Sequence, residues 1–306
     1  MAAFTAKDVA TLRQKTNCGM MDCKKALTEA NGDMEKAAEL LREKGLAAAV
    51  KKAGRIAAEG VVLAKVEGNV GAVVEVNAET DFVAKNAMFQ EFVNGVLDVI
   101  IKENPADVED LLTKKINEKY TVDEELKDKI LTIGENIKVR RFQRYEGAVT
   151  AYVHGGGRIG VLVLFNGDEA VTSNAAFEEV GKDVAMQIAA LNPSYLNPES
   201  VPAEALEKEK EILLAQIAND PKNANKPDAV KEKMVTGRIK KFYELNTLTN
   251  QAFVKDGNMS VQQYVDAEAK KLGGSVTIAA FTRFEKGEGI EKREDNLAEE
   301  IAKMVK

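Results

Sequence analysis

Residues 80–86 read Thr-Asp-Phe-Val-Ala-Lys-Asn, which places the carboxylate of Asp81 beside the aromatic ring of Phe82. The segment follows an apolar β-type run at 70–76 and precedes a helical pattern that starts near Ala87. A rigid scaffold aims such a strand-to-helix junction outward, where functional residues concentrate. The pair therefore predicts a site that presents a charge and a bulky ring to a second molecule. The structural alternative is that Asp81 caps the helix and Phe82 packs into the core.

A second candidate for chemistry is His154, the sole histidine, which precedes three glycines and Arg158. Backbone N–H groups of a glycine-rich loop can hold a phosphate, and a histidine can transfer protons. The stretch lacks the Gly-Lys-Ser/Thr ending of a P-loop, and no helical pattern follows it directly. A hairpin turn in which Gly155–Gly157 supply positive φ angles explains it better. Because no nucleophile–base pair stands out by spacing either, the sequence predicts no catalytic residues.

The cysteines of the chain are Cys18 and Cys23. Their spacing fits neither a CxxC redox pair nor half of a zinc site, and one histidine cannot complete a His/Cys site. The sequence therefore predicts structural thiols, no metal site and no cofactor.

Met20 and Met21 follow Gly19 between two predicted helices. Adjacent residues cannot both point to one face of a helix, so we expect one methionine to be exposed. A flexible apolar side chain suits an adaptable binding surface. The alternative is that the two methionines are shared between a small core and the loop.

Three short helices are predicted to position these methionines. The first ends near Thr16, the second stops at Asn31-Gly32, and Asp33 caps the third. Residues 51–55 (Lys-Lys-Ala-Gly-Arg) then form a predicted basic linker. The residues expected at buried helical spacing are Val9, Leu12, Met21, Ala26, Leu27, Ala37, Leu40, Leu41 and Leu46.

An internal repeat is predicted to position Asp81 and Phe82. Residues 59–77 and 146–166 each contain two β-type runs joined by a glycine-containing turn, and a helical pattern follows each pair. Two such ββα units predict an α+β core with antiparallel sheets. The second copy has Ala170 where the first has Phe82. This difference weakens the structural alternative, because a core position common to both units would hold a large residue in each.

Residues 198–243 predict a helical hairpin that projects as an antiparallel coiled coil. Prolines lie at both edges of its turn at 220–227, and its outer faces are rich in Lys and Glu. A projecting arm predicts contact with a partner or with a second copy of the chain, and a solvated face is the alternative. A strand at 275–281 and a short helix at 295–305 follow. The residues expected to face one another in the hairpin are Leu206, Leu213, Ile217, Val230, Met234 and Phe242.

The composition is that of an ordinary globular protein, with 45% hydrophobic and 30% charged residues in a chain of 306. This length predicts two or more domains. No apolar run approaches the ~20 residues that span a bilayer, and the N-terminus lacks a secretory pattern. We therefore expect a cytoplasmic protein that does not bind membranes. The net charge is −6 with both signs interleaved, so we expect no direct binding of nucleic acid.

Several motifs resemble those of the bacterial elongation factor Ts family, and they extend over essentially the whole chain. The most specific are Gly-Met-Met-Asp-Cys-Lys-Lys at 19–25 and the segment at 80–86. The resemblance implies a non-enzymatic guanine-nucleotide exchange factor of the GTPase elongation factor Tu. Such a factor promotes GDP release by disturbing the magnesium and phosphate site, and GTP then rebinds. The further matching segments are 12–13, 16–18, 26–27, 75–79, 133–137, 154, 158–161, 283–285 and 287–291.

The resemblance also implies roles for individual residues. The exchange wedge would be Asp81 and Phe82, flanked by Thr80 and Val83, and its ring would displace elements that hold the partner's magnesium ion. The N-terminal module would contact the partner's nucleotide-binding domain through Arg13, Met20, Met21 and Lys24. The core would contact the same partner through Ile133, Gly134 and His154.

The implied organisation is an N-terminal module similar to a ubiquitin-associated domain, two core subdomains, an inserted coiled coil that resembles the family's dimerisation arm, and a C-terminal module. The Gly155–Gly157 turn is longer than the usual turn of the family. The implied bounds are 1–54 for the first module, 55–145 for the N-terminal core subdomain, 146–197 with 228–286 for the C-terminal one, 198–227 for the inserted hairpin (arms to about 243) and 287–306 for the last module.

Two other classes of function stay open. An interaction scaffold would recruit partners through the N-terminal module and the hairpin without remodelling them. A phosphate-binding enzyme would use His154 and its glycines, and the isolated chain would bind nucleotide directly.

Overall fold

The computed structural model of the chain describes residues 4–16, 18–223 and 226–291. Helices combine with antiparallel sheets, which confirms the predicted α+β class. The predicted helix at 295–305, and with it most of the C-terminal module at 287–306, lies outside the described residues. The helices are α1 (Ala6–Thr16), α2 (Met20–Glu29), α3 (Met34–Lys52), α4 (Asp81–Ala84), α5 (Ala87–Glu103), α6 (Val108–Thr113), α7 (Val122–Ile133), α8 (Glu169–Thr172), α9 (Phe177–Leu191), α10 (Ala203–Asn219), α11 (Asp228–Asn246) and α12 (Val261–Lys271). The strands are β1 (Glu59–Glu67), β2 (Val70–Ala78), β3 (Lys138–Glu146), β4 (Ala148–His154), β5 (Ile159–Gly167), β6 (Ala252–Phe253), β7 (Asp256–Ser260) and β8 (Val276–Glu285).

The end of α2 and the start of α3 lie where their capping residues predict. Asn31 and Gly32 take positive φ angles of 52° and 87° after α2, and the Asp33 carboxylate accepts hydrogen bonds from the first N–H groups of α3. Met21 was predicted to line the core, but 62% of it is exposed. Cys23 instead begins the buried i, i+3, i+4 face of α2, and Met21 points about 200° away from it. The residues buried between the three helices are Val9, Leu12, Cys18, Cys23, Ala26, Leu27, Ala30, Ala37 and Leu41.

The α3 helix extends to Lys52, so the predicted basic linker at 51–55 begins inside a helix. The reason is packing against α7. Gly45 lies against the backbone of Lys127, where an added Cβ would come within 3.3 Å of the carbonyl oxygen, and Lys52 Nζ donates to the Ile130 carbonyl at 3.0 Å. With Gly45 on the packed face, the neighbouring Leu46 turns outward and is 49% exposed, contrary to its predicted burial.

The internal repeat is larger than two ββα units. Each unit has a three-stranded antiparallel sheet, ordered β1-β2-β3 in the first and β4-β5-β8 in the second. The third strand of each sheet follows a later helix, α7 in the first unit and α12 in the second. The helical hairpin of α10 and α11 is inserted before α12. The repeated elements β4, β5 and α9 precede this insertion, and α12 and β8 follow it.

The two sheets face one another through matching glycine–valine contacts. Gly71 of β2 lies against Val149 of β4, where an added Cβ would come within 2.5 Å of Val149 Cγ1. Gly160 of β5 meets Val62 of β1 in the same way. Gly71 and Gly160 occupy equivalent places in the repeat, as do Val62 and Val149. The two units therefore pack with an approximate twofold relation, like an isologous dimer interface built within one chain.

The outer face of each sheet is covered by its long helix. The first core includes Phe89, Val93, Val96 and Ile100 of α5 against Val74 and Val76 of β2. The second includes Val180, Val184 and Ile188 of α9 against Val161 and Val163 of β5. The short helices α4 and α8 stand at equivalent places, immediately before these long helices.

The hairpin helices α10 and α11 bury a small apolar seam of their own. Its members are Leu213, Ile217 and Val235, with Met234 and Ile239 packed beside them. Val230 was predicted in this seam but is 39% exposed, because it lies in the first turn of α11, before the stripe formed by Val235 and Ile239. In the part of the chain that the structure describes, none of the helices is long and apolar enough to span a bilayer.

Candidate partner-binding surface

Phe82 is held away from the core on the single helical turn α4. Its side chain is 80% exposed, whereas the following Val83 and Ala84 are each 8% exposed. Thr80, not Asp81, is the N-cap of this turn, and Asn86 caps α5 by accepting hydrogen bonds from the N–H groups of Met88 and Phe89. Both parts of the structural alternative are therefore wrong: Asp81 does not cap the helix, and Phe82 is outside the core.

Asp81 is exposed beside Phe82 and is ionised more readily than an ordinary aspartate. Its Oδ2 accepts a hydrogen bond from Lys85 Nζ at 3.0 Å. This bond and the charge of Lys85 lower the pKa of Asp81, and the charge of Lys286 adds a smaller effect. The turn therefore presents a carboxylate that is negative at neutral pH, next to an uncovered ring.

The equivalent turn of the second unit has no ring. Ala170 is exposed on α8 as Phe82 is on α4, and Val171 is buried as Val83 is. The shared position is thus a solvent-facing one in both units. The comparison between copies, which favoured an exposed Phe82, is confirmed by the burial of their neighbours.

The N-terminal helices present a second exposed apolar group. Met20 is 52% and Met21 is 62% exposed, so both methionines, not one, are available at the surface. Lys24 on α2 and Arg13 on α1 are also exposed. A groove of about 380 Å³ is lined by Arg13, Met20 and the half-buried Met88 of α5, with Ala10 and Gln14. It joins the N-terminal helices to the helix that directly follows the Phe82 turn.

Ile133 and Gly134 lie at the end of α7, close to the base of the Phe82 turn. Gly134 ends the helix with φ 92° and is exposed, and nothing lies within 4 Å of its missing Cβ. Ile133 is half-buried against the first core. The next residue, Glu135, accepts a hydrogen bond from Thr80 Oγ1 at 2.6 Å. The structure therefore brings this pair next to the wedge candidates.

His154 ends β4 and is exposed, with Nδ1 at 2.9 Å from the Tyr152 hydroxyl. The glycines after it take φ angles of 60°, 63° and 95°, which confirms a turn with positive φ. The carbonyl of Gly157 accepts from the Val62 N–H at 2.8 Å, so the turn is fixed to β1. Lys286 connects the turn to the first sheet, because its N–H donates to the Arg158 carbonyl and its side chain pairs with Glu59.

A buried carboxylate that the sequence analysis missed lies behind this surface. Glu75 is fully buried in β2 and accepts hydrogen bonds from the Gly287 N–H (2.7 Å), Arg141 Nε (2.6 Å), and from Asn77 and Arg140 (3.0 Å each). Burial alone would raise the pKa of Glu75, but these donors outweigh it and hold the pKa below its usual value. The cluster fixes the chain at Gly287 against the first sheet. A glutamate within an apolar strand is the signal that could have found it.

The candidate residues that reach the surface are of types that suit binding. Within the described ranges, no group of three or more His, Cys, Asp or Glu side chains is placed to hold a metal ion. Cys18 and Cys23 are buried free thiols, and burial raises the pKa of each. The candidate groups that do reach the surface are an aromatic ring, methionines and charged side chains. These suit the recognition of another macromolecule.

Comparisons with known proteins agree with this geometry. A family model described as elongation factor TS matches residues 79–288. An elongation factor Ts of Clostridium perfringens (strain SM101 / Type A) is 52% identical over 306 residues, covering 98% of this chain and 99% of the relative. Those of Clostridium botulinum (strain Eklund 17B / Type B) and Trichlorobacter lovleyi are 47% and 49% identical, with at least 98% of each chain covered. The chain therefore belongs to the elongation factor Ts family.

Proposed function

We propose that this chain is the guanine-nucleotide exchange factor of elongation factor Tu, and that Phe82 is the wedge that promotes GDP release. The observation that carries the proposal is the exposure of Phe82, 80% on a capped helical turn, in a chain of the elongation factor Ts family. Aromatic residues are enriched at protein interfaces, and a strand-to-helix junction is a common place for binding residues, so contact with a partner accounts for the exposed ring.

The proposed mechanism is non-covalent. A GTPase holds GDP through magnesium, which bridges the phosphate to protein oxygens, and through amide groups that cradle the phosphates. The Phe82 ring would displace elements that hold the ion, and Asp81 would enter beside it. Loss of the ion leaves phosphate charge uncompensated in a poorly screened site, which weakens nucleotide binding. By linkage, GDP must weaken binding of the factor as much as the factor weakens binding of GDP.

The other candidates would supply binding energy around this wedge. Arg13, Met20, Met21 and Lys24 would form one contact, on the N-terminal three-helix module that we assign to residues 1–54 and describe as similar to a ubiquitin-associated domain. Ile133 and Gly134 would form a second contact beside the wedge. His154 would form a third contact, before the glycine turn that Lys286 ties to the first sheet. The two adjacent exposed methionines support the first assignment, because Met side chains adapt to a partner's surface.

For the hairpin of α10 and α11 we propose a coiled-coil arm that associates with a second copy of the chain. Ile212, Leu214 and Val230 support this role, because they are apolar and between 39% and 43% exposed on its outer faces. Sedimentation of the purified chain over a range of concentrations tests it. A monomer at all concentrations would exclude self-association.

A stopped-flow assay tests the exchange function. Elongation factor Tu loaded with fluorescent GDP is mixed with the chain and excess unlabelled nucleotide, and the release rate is followed as the chain is increased. An exchange factor raises the release rate to a plateau. An interaction scaffold would bind and leave the rate unchanged. A phosphate-binding enzyme would instead retain labelled GDP by itself in equilibrium dialysis.

A further inference from the structure

The Phe82 turn is tied to the end of α7 by the carboxylate of Glu135. Its Oε2 accepts hydrogen bonds from the N–H groups of Glu79 and Thr80, each at 3.0 Å. Its Oε1 accepts the Thr80 hydroxyl at 2.6 Å. One side chain therefore binds every donor of the two residues that precede α4. Hydrogen bonds to an ionised carboxylate are short and strong.

A second carboxylate, that of Glu79 before α4, binds the segment that follows α7. Glu79 Oε1 accepts from the Asn136 N–H at 2.6 Å and pairs with Arg55 at 3.4 Å. The Asn136 amide in turn donates to the Arg55 carbonyl at 2.7 Å. The two segments thus exchange carboxylates, each binding the other's backbone. We call this arrangement the carboxylate clasp (Glu79, Glu135 and Asn136).

The clasp supplies what α4 lacks by itself. Four residues form a single helical turn, and one turn does not persist in water without outside support. Thr80 both caps α4, with its Oγ1 at 3.5 Å from the Val83 N–H, and donates to Glu135. The orientation of the Thr80 hydroxyl, and with it the start of the helix that carries Phe82, therefore depends on a side chain 55 positions away.

The second unit uses a carboxylate at the same point. Asp168 Oδ2 accepts from the Ser275 N–H at 2.7 Å and from the Ser275 hydroxyl at 3.2 Å, which ties the start of α8 to β8. Both short helices are thus fixed where they begin. In the first unit the carboxylate comes from another segment, and the turn carries a ring.

We infer that Glu135 is the positioning residue of the exchange wedge. Its carboxylate fixes the start of α4 and thereby the direction in which the Phe82 side chain points into solvent. The inference rests on the proposed function and adds a residue to it. Glu135 itself need not touch the partner. Its loss is expected to lower the maximal rate of GDP release and to leave the affinity for the partner nearly unchanged, because the remaining contact surfaces stay intact.

The test measures release of fluorescent GDP from elongation factor Tu by the full chain and its variants, with the plateau rate and the half-saturating concentration determined separately. For Glu135→Ala we expect a plateau at least tenfold lower and a half-saturating concentration within threefold of wild type. Glu135→Gln keeps a carbonyl oxygen for both backbone N–H groups, so it should retain most of the plateau rate. Glu103→Ala is the charge-matched control, because Glu103 is exposed at the far end of α5, about 25 Å from the start of that helix.

A double variant separates positioning from general damage. If Glu135 acts only by positioning Phe82, its loss has no further effect once the ring is gone. The double variant Phe82→Ala/Glu135→Ala should then give the same plateau rate of GDP release from elongation factor Tu as Phe82→Ala alone. The inference would be overturned if the plateau rate of the double variant fell by the product of the two single losses. It would also be overturned if Glu135→Ala kept the wild-type plateau rate while Phe82→Ala lost it. If Phe82→Ala itself matches wild type, the proposed wedge fails, and if wild type does not accelerate release, the exchange function fails. Circular dichroism and thermal melting confirm that each variant is folded.

Discussion

Truncation of Phe82 to alanine should abolish most exchange activity at almost no cost in stability. The ring contacts little of its own chain, since it is 80% exposed, and exposed substitutions usually change the free energy of unfolding by less than about 0.5 kcal/mol. The melting temperature of Phe82→Ala should therefore match that of wild type. Any large effect on GDP release then arises in the complex.

The size of that effect follows from the exposed area. A phenylalanine side chain buries roughly 200 Å² when it is covered, so the free 80% amounts to about 160 Å². At about 25 cal/mol/Å², burial in the partner contributes at most about 4 kcal/mol, and a residue that dominates an interface contributes about 2 kcal/mol or more. Because 1.36 kcal/mol is a tenfold change in rate, we expect a loss of roughly 30- to 1,000-fold in the acceleration of GDP release.

Stopped-flow release of fluorescent GDP over a series of factor concentrations measures this loss. The internal repeat provides the control: Ala170→Phe adds the same ring to the equivalent exposed position of the second unit and should leave both the plateau rate and the half-saturating concentration unchanged. The reasoning is refuted if Phe82→Ala binds elongation factor Tu and releases GDP at the wild-type plateau rate. It is equally refuted if Ala170→Phe restores release to a chain that lacks Phe82.

Three further predictions concern the scaffold. Glu75→Gln should lower the free energy of unfolding by about 2 kcal/mol at pH 7, because charged hydrogen bonds are lost. The pKa of Glu75 in the folded chain lies below its usual 4.5. The stabilisation from the ionised carboxylate is therefore present above about pH 4.5 and is lost as the pH falls through the folded pKa. In urea titrations from pH 7 to pH 3, the free energies of unfolding of wild type and Glu75→Gln should approach each other. Gly160→Ala should destabilise the chain by about 1–3 kcal/mol in thermal melting, because its Cβ would overlap Val62 Cγ1, and Val62→Ala in the same chain should restore part of the loss. Ile217→Ala should loosen the hairpin by about 3 kcal/mol, because Ile217 is fully buried; hydrogen exchange should rise within 203–246 only, and the exposed Ile212→Ala should leave it unchanged.

The parts of the fold that the sequence predicted are those with local signals. Alternating apolar residues with glycine turns predicted the β1–β2 and β4–β5 hairpins, and Asn31-Gly32 with Asp33 predicted the end of α2 and the start of α3. The strand β3 was not predicted from the sequence, because five of its nine residues are Lys, Arg or Glu. In such an edge strand, apolar and polar residues do not alternate regularly. The strands β6 and β7 were missed because two and five residues are too few for a periodic pattern. The helix α12 was missed although its buried Val261, Val265 and Ala269 recur at every fourth position.

The site divides in the same way. The strand-to-helix junction and the comparison between the two repeat copies made Asp81 and Phe82 candidates for a binding site, and only the family resemblance gave them the role of a wedge. Glu135 and Glu75 were missed because their partners lie 55 and 212 positions away. By sequence, Glu135 cannot be told from a solvated glutamate in a chain with 49 acidic residues. The apolar strand around Glu75 indicates that this glutamate is buried, but not which donors it binds. Only the tertiary structure shows those donors.

A wedge must be exposed and rigid at once, and these requirements conflict within one segment. Exposure removes the core contacts that normally fix a side chain's direction, and a mobile ring would lose affinity to the entropy of ordering. The chain resolves the conflict by separating the two tasks. Phe82 has almost no contacts of its own, while the residues on either side of it are fixed by Glu135, by the buried Val83 and by the Asn86 cap. The contacts that fix the segment thus lie behind the ring, and most of the ring's surface stays exposed.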